Sequence, residues 1–221
     1  ATFISTLGRT LYRQPVSPDQ LVRLKGIFAI GKELSDTAEG IKYAVKAMLQ
    51  SPMFLYRTEV GSASVIAGQS TAVSLTSFEV ASLLSFLVTD APPDAELSKA
   101  ADADELKSIL QIQKQFARLN KTSAAAEKNV AFLEALFGVN AILASTKDEN
   151  LFPNSAAIQA ALKESFRADV RYLLKSADAS WSAAMRLSSY AVNSLTASIF
   201  ETDKFDGTDF VRKEVPTSQR R

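Results

Sequence analysis

Residues 76–88 read TSFEVASLLSFLV, and this run decides the fold class. Thr76 stands where a helix would begin, Glu79 follows three residues later, and Val80, Leu83, Leu84 and Leu87 then recur at helical spacing. A hydroxyl that receives the third amide, with a carboxylate reaching back to the first, is the capping box that satisfies otherwise orphaned donors at a helix start. The same device is legible twice upstream. SPDQLVRLKGIFAIGKEL (17–34) offers Ser17 as cap, Pro18 at the first helical position and Gln20 three residues on, followed by Leu21, Leu24, Ile27 and Phe28. DTAEGIKYAVKAMLQ (36–50) offers Asp36 and Glu39, followed by Ile41, Val45, Met48 and Leu49.

Further helical patterns occupy about 105–119 and 125–138, and SWSAAMRLSSYAVNSLTASIF (180–200) reads as one or two short helices. The clearest amphipathic run is NSAAIQAALKESFRADVRYLLKS (154–176), in which Ile158, Leu162, Phe166, Val170, Leu173 and Leu174 form one stripe. ETDKFDGTDFVRKEVP (201–216) is a turn-rich tail with a candidate hairpin around Asp206 and Gly207. No segment shows sustained strand alternation, so the expectation is all-α: an irregular bundle of about 8–10 helices in two packed helical modules. The first module is placed at 1–60 and the second at 75–221, joined by the small, uncharged and Gly/Ser-rich stretch 61–74.

Composition restricts the chemistry. The 221 residues contain no His and no Cys. That removes Ser-His-Asp and Cys-His catalysis, Zn sites with His or Cys ligands, Cys-ligated iron–sulfur clusters and covalent haem attachment. Carboxylate chemistry and oxygen-ligated cations remain open. With 25 basic against 24 acidic residues, nothing global favours nucleic acid or an anionic membrane surface. No apolar run is long enough to span a bilayer as a helix. The sequence starts at Ala rather than Met and ends in TSQRR, so it is expected to be a piece of something longer.

The candidate sites are few. Asp203, Asp206 and Asp209 superficially resemble a Ca²⁺ loop, but Phe205 and Gly207 occupy the third and fifth positions, where such a loop needs oxygen ligands; a solvated turn is the expectation. Asp102, Asp104 and Glu105 are expected to serve structure rather than catalysis. Arg9 and Arg13, four apart beside Tyr12, form a candidate interaction face on one helix. Trp181 is expected in the core by default, with an aromatic ligand shelf shared with Tyr190 as the alternative. No catalytic, cofactor-binding or metal-binding residue is assigned.

SPMFLYR (51–57) reads as a joint. Proline pushes its predecessor out of the helical region, so one helix ends at Gln50 or Ser51; Ser51 then caps, and Pro52 starts, a new turn. Among Met53, Phe54 and Tyr56 some are expected to enter the core and others to face the second module. Arg57 is expected to pin the junction through a carboxylate or helix-end carbonyls, with Glu59 meeting a different partner.

Two stretches resemble a family when taken together. LGRTLYRQPVSPDQLVRLKGIF with GIKYAVKAMLQSPMFLYRTEVG, and SLTSFEVASLLSFLVTDAPPDAELSKAA with LFPNSAAIQAALKESFRADVRYLL, are similar to tandem helical domains of unknown function from large exported proteins of planctomycetes and myxobacteria. Those proteins often carry cytochrome-c-like domains. Ser51, Pro52, Phe54, Leu55, Tyr56, Arg57 and Glu59 carry the most specific part of the likeness. Leu87-Val88 stands where the family usually has Leu-Trp. The resemblance implies a periplasmic or extracellular location, a longer parent polypeptide, and neighbouring modules or subunits as partners. The function expected is a non-catalytic structural or interaction module of an exported multi-domain assembly. The alternatives are an accessory subunit docked to a cytochrome-containing electron-transfer complex, respiratory or photosynthetic, and a carboxylate-dependent hydrolase.

Overall fold

Local capping chemistry sets the helix starts. The computed structural model describes residues 2–61, 73–176, 178–203 and 206–215, the side chains of 142 and 143 excepted. Most of the linker expected at 61–74, Lys204 and Phe205 of the aspartate-rich turn, and the TSQRR end therefore lie outside the described residues. Eleven helices are described: α1 (Thr2–Tyr12), α2 (Pro18–Leu34), α3 (Thr37–Leu49), α4 (Pro52–Leu55), α5 (Ser77–Thr89), α6 (Ala95–Asp102), α7 (Ile109–Leu119), α8 (Ser123–Leu136), α9 (Val139–Ala144), α10 (Ser155–Lys175) and α11 (Trp181–Met185). Two strands, β1 (Ser189–Val192) and β2 (Val211–Glu214), complete the described elements. The protein is mostly helical. The small sheet is a departure from the all-helical reading of 180–200.

The boxes at Ser17–Gln20 and Thr76–Glu79 close as expected. At Asp36 the cap forms, accepting from Glu39 N at 2.8 Å, but the Glu39 carboxylate turns outward to Lys42 Nζ at 2.8 Å. A box that was not anticipated closes at Ser108–Gln111.

The chain divides into two compact units, 1–124 and 125–221. In the first, Ile4, Tyr12, Leu24 and Met48 are buried together, with Leu7, Val16, Phe28, Met53 and Phe54 packed against them. Two glycines let α2 and α3 lie close. A Cβ on Gly40 would fall 2.7 Å from Phe28 O, and one on Gly31 would fall 2.9 Å from Glu39 O. The carboxylate of Glu79 at the start of α5 also accepts from Val60 N at 2.8 Å and Gly61 N at 3.0 Å. Burial works against its charge, but these bonds and those from Thr76 hold it below the ordinary Glu value. One side chain thus closes a helix start and holds the chain that follows α4.

In the second unit, α8 and α10 are joined by ion pairs. Arg171 meets Glu127 through two bonds of 2.6 and 2.9 Å, and buried Glu134 lies 3.0 Å from Arg167 Nε and 3.8 Å from Lys163 Nζ. Of the expected stripe on α10, Val170 is buried, Ile158, Leu162, Phe166 and Leu173 are half-buried and Leu174 is exposed. The other fully buried residues are Ala161, Ser165 and Asp169, small or polar where α10 lies against strand backbone. β1 and β2 are antiparallel, with Ala191 opposite Arg212. A two-stranded ribbon is marginal by itself, and α10 supplies what it lacks. Ser165 Oγ donates to Ala191 O, and Asp169 Oδ1 accepts from Ala191 N at 2.9 Å. Residues 193–196 then leave the strand in a side-chain turn, Asn193 Oδ1 accepting from the amides of Leu195 and Thr196. Such bonds offer the backbone an alternative to helix, which is why a second helix does not form here.

The glycine contacts set a stability test. Gly40→Ala forces a methyl into a backbone carbonyl and should cost about 1–3 kcal/mol, whereas Gly26→Ala, with open space around its Cβ, should stabilise by up to about 1 kcal/mol. Urea unfolding of the two variants, measured side by side, checks both signs.

Candidate functional site

Two regions carry clustered side chains of interest, one in each unit. The first is the joint at 51–59. The preceding helix ends at Leu49, Ser51 Oγ accepts from Met53 N at 3.3 Å, and Pro52 opens α4. Met53 and Phe54 pack on the core, while Tyr56 (64% exposed) and Glu59 are exposed. The pinning cation is Arg13 rather than Arg57. Arg13 Nη2 donates to Met53 O at 2.6 Å and Tyr56 O at 2.9 Å, whereas Arg57 lies over the Phe86 ring, 4.9 Å from its centroid. Arg13 reaches these carbonyls because α1 stops at Tyr12 and Arg13 itself has φ +60°. It therefore does not share a helix face with Arg9, which pairs with Asp102 at 2.6 Å. Partial burial, with Arg57 nearby, lowers the Arg13 guanidinium below its ordinary value.

Asp104 of the acidic cluster is likewise engaged: it accepts from Ser77 Oγ at 2.7 Å and pairs with Lys107. The hollow bounded by Tyr12, Arg13, Arg57 and Glu79 has about 20 Å³, room for one water molecule.

The second region is a cavity of about 530 Å³ against α10. Phe137, Phe166, Val170, Leu173, Trp181 and Met185 form most of its apolar wall, with Tyr190 at one side and Asp169 as its single carboxylate. Trp181 is not a core residue. It is 59% exposed and stacks on Phe137, with ring centroids 5.6 Å apart and planes 10° from parallel. Phe137 in turn meets Phe166 edge-on at 6.1 Å. Tyr190 stacks on Phe200 at 5.5 Å. Trp181 and Tyr190 both line this cavity.

Asp169 was not singled out from the sequence. Its only signal there is an acid four residues after Ser165, beside an apolar stripe. Oδ1 accepts from Ala191 N and, at 2.8 Å, from Arg212 Nη1. Arg212 also donates to Ser189 O at 2.9 Å and lies over the Tyr172 ring, 3.6 Å from its centroid. Burial is the dominant influence on the Asp169 carboxyl and pushes it from 3.8 up to about 6, against the opposing pull of the Ala191 amide and Arg212. Among the described residues, no three His, Cys, Asp or Glu side chains converge as a metal site. No described helix is long and apolar enough to cross a membrane. Asp203, Asp206 and Asp209 flank residues outside the description. The chain beside them is held by Ser194 N donating to Gly207 O at 3.1 Å.

Comparison with known families places these elements. The family described as "PSD4: Protein of unknown function (DUF1592)" matches residues 75–201, more than half of the chain. The chain belongs to the DUF1592 family. The DUF1592 match takes in α5 to α11, β1 and the whole cavity wall, including Asp169 and Trp181. A second family, "PSD5: Protein of unknown function (DUF1595)", matches residues 1–59 and so covers the joint. The interval between the two matches falls inside the first compact unit. No curated protein and no solved structure matches the chain.

Two expectations follow. Arg13→Ala should lower unfolding free energy by about 1.5–3 kcal/mol, because two carbonyls lose a charged donor. Arg57→Ala should cost under about 1 kcal/mol, the scale of an exposed cation–π contact; denaturant curves distinguish the two. For Asp169, a folded-state pKa above the unfolded one means its contribution is fully present below pH 3.8 and lost as pH rises through about 6. The stability difference between wild type and Asp169→Asn should therefore shift against wild type across that window and level off above it, read by urea unfolding at successive pH values.

Proposed function

We propose that this DUF1592 chain is a non-catalytic interaction module of an exported multi-domain assembly. The observation that carries the reading is α2, which is apolar on two sides. Leu21, Leu24, Phe28 and Gly31 face the core or its margin. On the other side Val22, Ile30 and Leu34 are 68%, 54% and 65% exposed, with Gly26 between them and open space beside it. Residues 22, 26, 30 and 34 follow one another at four-residue spacing and form a ridge. Asp19, Arg23 and Glu33 flank this ridge, so it is a narrow apolar strip in a charged surface, and the glycine within it admits the close approach of another backbone.

Export and membership of a longer polypeptide rest on the likeness to tandem helical domains of large exported proteins. That Asp169 is the single carboxylate of the cavity among the described residues favours this reading over a hydrolase that would need two facing acids. Its partner is another module or subunit whose apolar helix covers α2.

The test is tagged expression in the native host, followed by cross-linking and sizing, of wild type and of Val22→Lys/Ile30→Lys. Both positions are exposed, so the variant should melt as wild type does, while losing at least tenfold of the cross-linked partner. Wild type recovered alone and monomeric, or a variant that keeps the same partner, would overturn the proposal.

A further inference from the structure

The cavity of the second unit has features that an interaction module does not require. At about 530 Å³ it lies within the ~300–1,000 Å³ typical of small-molecule sites, which combine apolar walls with a few placed polar groups. Its wall is mostly aromatic and aliphatic, and among the described residues no Lys or Arg belongs to it. The one charged group at its surface is Asp169, whose two oxygens differ. Oδ1 is occupied by the Ala191 amide and Arg212. Oδ2 receives no hydrogen bond from any described residue. Asp169 as a residue is 8% exposed and belongs to the cavity wall, and Oδ2 is not among the described side-chain atoms that are both buried and unpartnered, so it stays open to solvent.

A ligand donor that meets this oxygen beside an apolar wall gains a charge-assisted hydrogen bond that bulk water weakens elsewhere. We propose that this cavity binds a small amphipathic molecule whose apolar body lies against Phe137, Phe166 and Trp181 and whose hydrogen-bond-donating head, a hydroxyl or an ammonium, meets Asp169 Oδ2. The chemistry of the wall sets the selectivity. An anionic head would place a second negative charge beside Asp169 with no wall cation to receive it. An ammonium or hydroxyl supplies the missing proton, and a cation also gains from the faces of Trp181 and Tyr190. Arg212 stays behind Asp169, bonded to Ser189 O, and fixes the carboxylate rather than competing for the ligand.

The binding reading is independent of the α2 ridge, which lies in the other unit. The sequence contains one Trp, and it stands on the cavity wall, so its fluorescence reports occupancy directly. Decylammonium, decanol and decanoate, each kept below its aggregation concentration, serve as probes. Decylammonium and decanol should shift Trp181 emission saturably, and decanoate should bind at least tenfold more weakly. Ala184→Leu, which fills the cavity, should weaken decylammonium at least tenfold while the melting temperature is retained. Asp169→Asn should bring decylammonium and decanoate within about threefold of each other. No saturable shift with any probe, decanoate binding as tightly as decylammonium, or unchanged affinity in Ala184→Leu would overturn the assignment.

Discussion

A carboxylate removed from water must be surrounded by donors, and in the second unit that requirement organises everything around Asp169. The Ala191 amide and the Arg212 guanidinium both converge on Oδ1. Together with Ser165 they attach a strand to a helix. Ser165 and Asp169, four apart, occupy one ridge of α10 and can meet the carbonyl and amide of a single residue. Helix side chains thereby do for β1 what a neighbouring strand would do in a larger sheet. β2 follows from the same requirement, because Arg212 stands opposite Ala191 in the register.

The first unit is built differently. Its helices are placed by close backbone approach at Gly31 and Gly40 and by capping groups that reach beyond their own helix. Glu79 ties α5 to residues 60 and 61, Arg118 ties α7 to Asp94 at the start of α6 through bonds of 2.6 and 2.9 Å, and Arg9 ties α1 to Asp102. Glu79 and Asp94 stand at helix N-termini, where unpaired amides and the dipole favour a negative charge, whereas Asp102 ends α6 at its negative pole and Arg9 offsets that charge. The charged residues that look like candidate chemistry in the sequence are the fastenings of the fold.

How much could be read in advance follows from the range of each interaction. Ser17–Gln20 and Thr76–Glu79 were legible because a capping box closes within four residues. Ser51-Pro52 was legible because proline restricts its own neighbour. The cation at the joint was assigned to Arg57, next to the carbonyls in sequence, whereas the donor is Arg13, forty residues away. Residues 189–192 were read as helix because their strand state depends on Ser165, Asp169 and Arg212. Trp181 was assigned to the core on its size, but its place is decided by Phe137, which no local pattern links to it. Asp169 was passed over because an acid within an amphipathic run is usually solvent-facing, and only the tertiary fold brings the Ala191 amide to it.

The pairing of Asp169 with Arg212 also imposes an order on biosynthesis. A ribosome releases α10 well before β2, so the carboxylate emerges ahead of its counter-ion and ahead of the strand that Ser165 and Asp169 clamp. Until residue 212 is free of the exit tunnel, α10 can pair with α8 and with Phe137, but Ser165 and Asp169 have no completed strand pair to hold. The first unit has no such dependence, since every tie described within it joins residues made earlier. A nascent chain therefore carries a finished first unit while the second still waits for its last described strand.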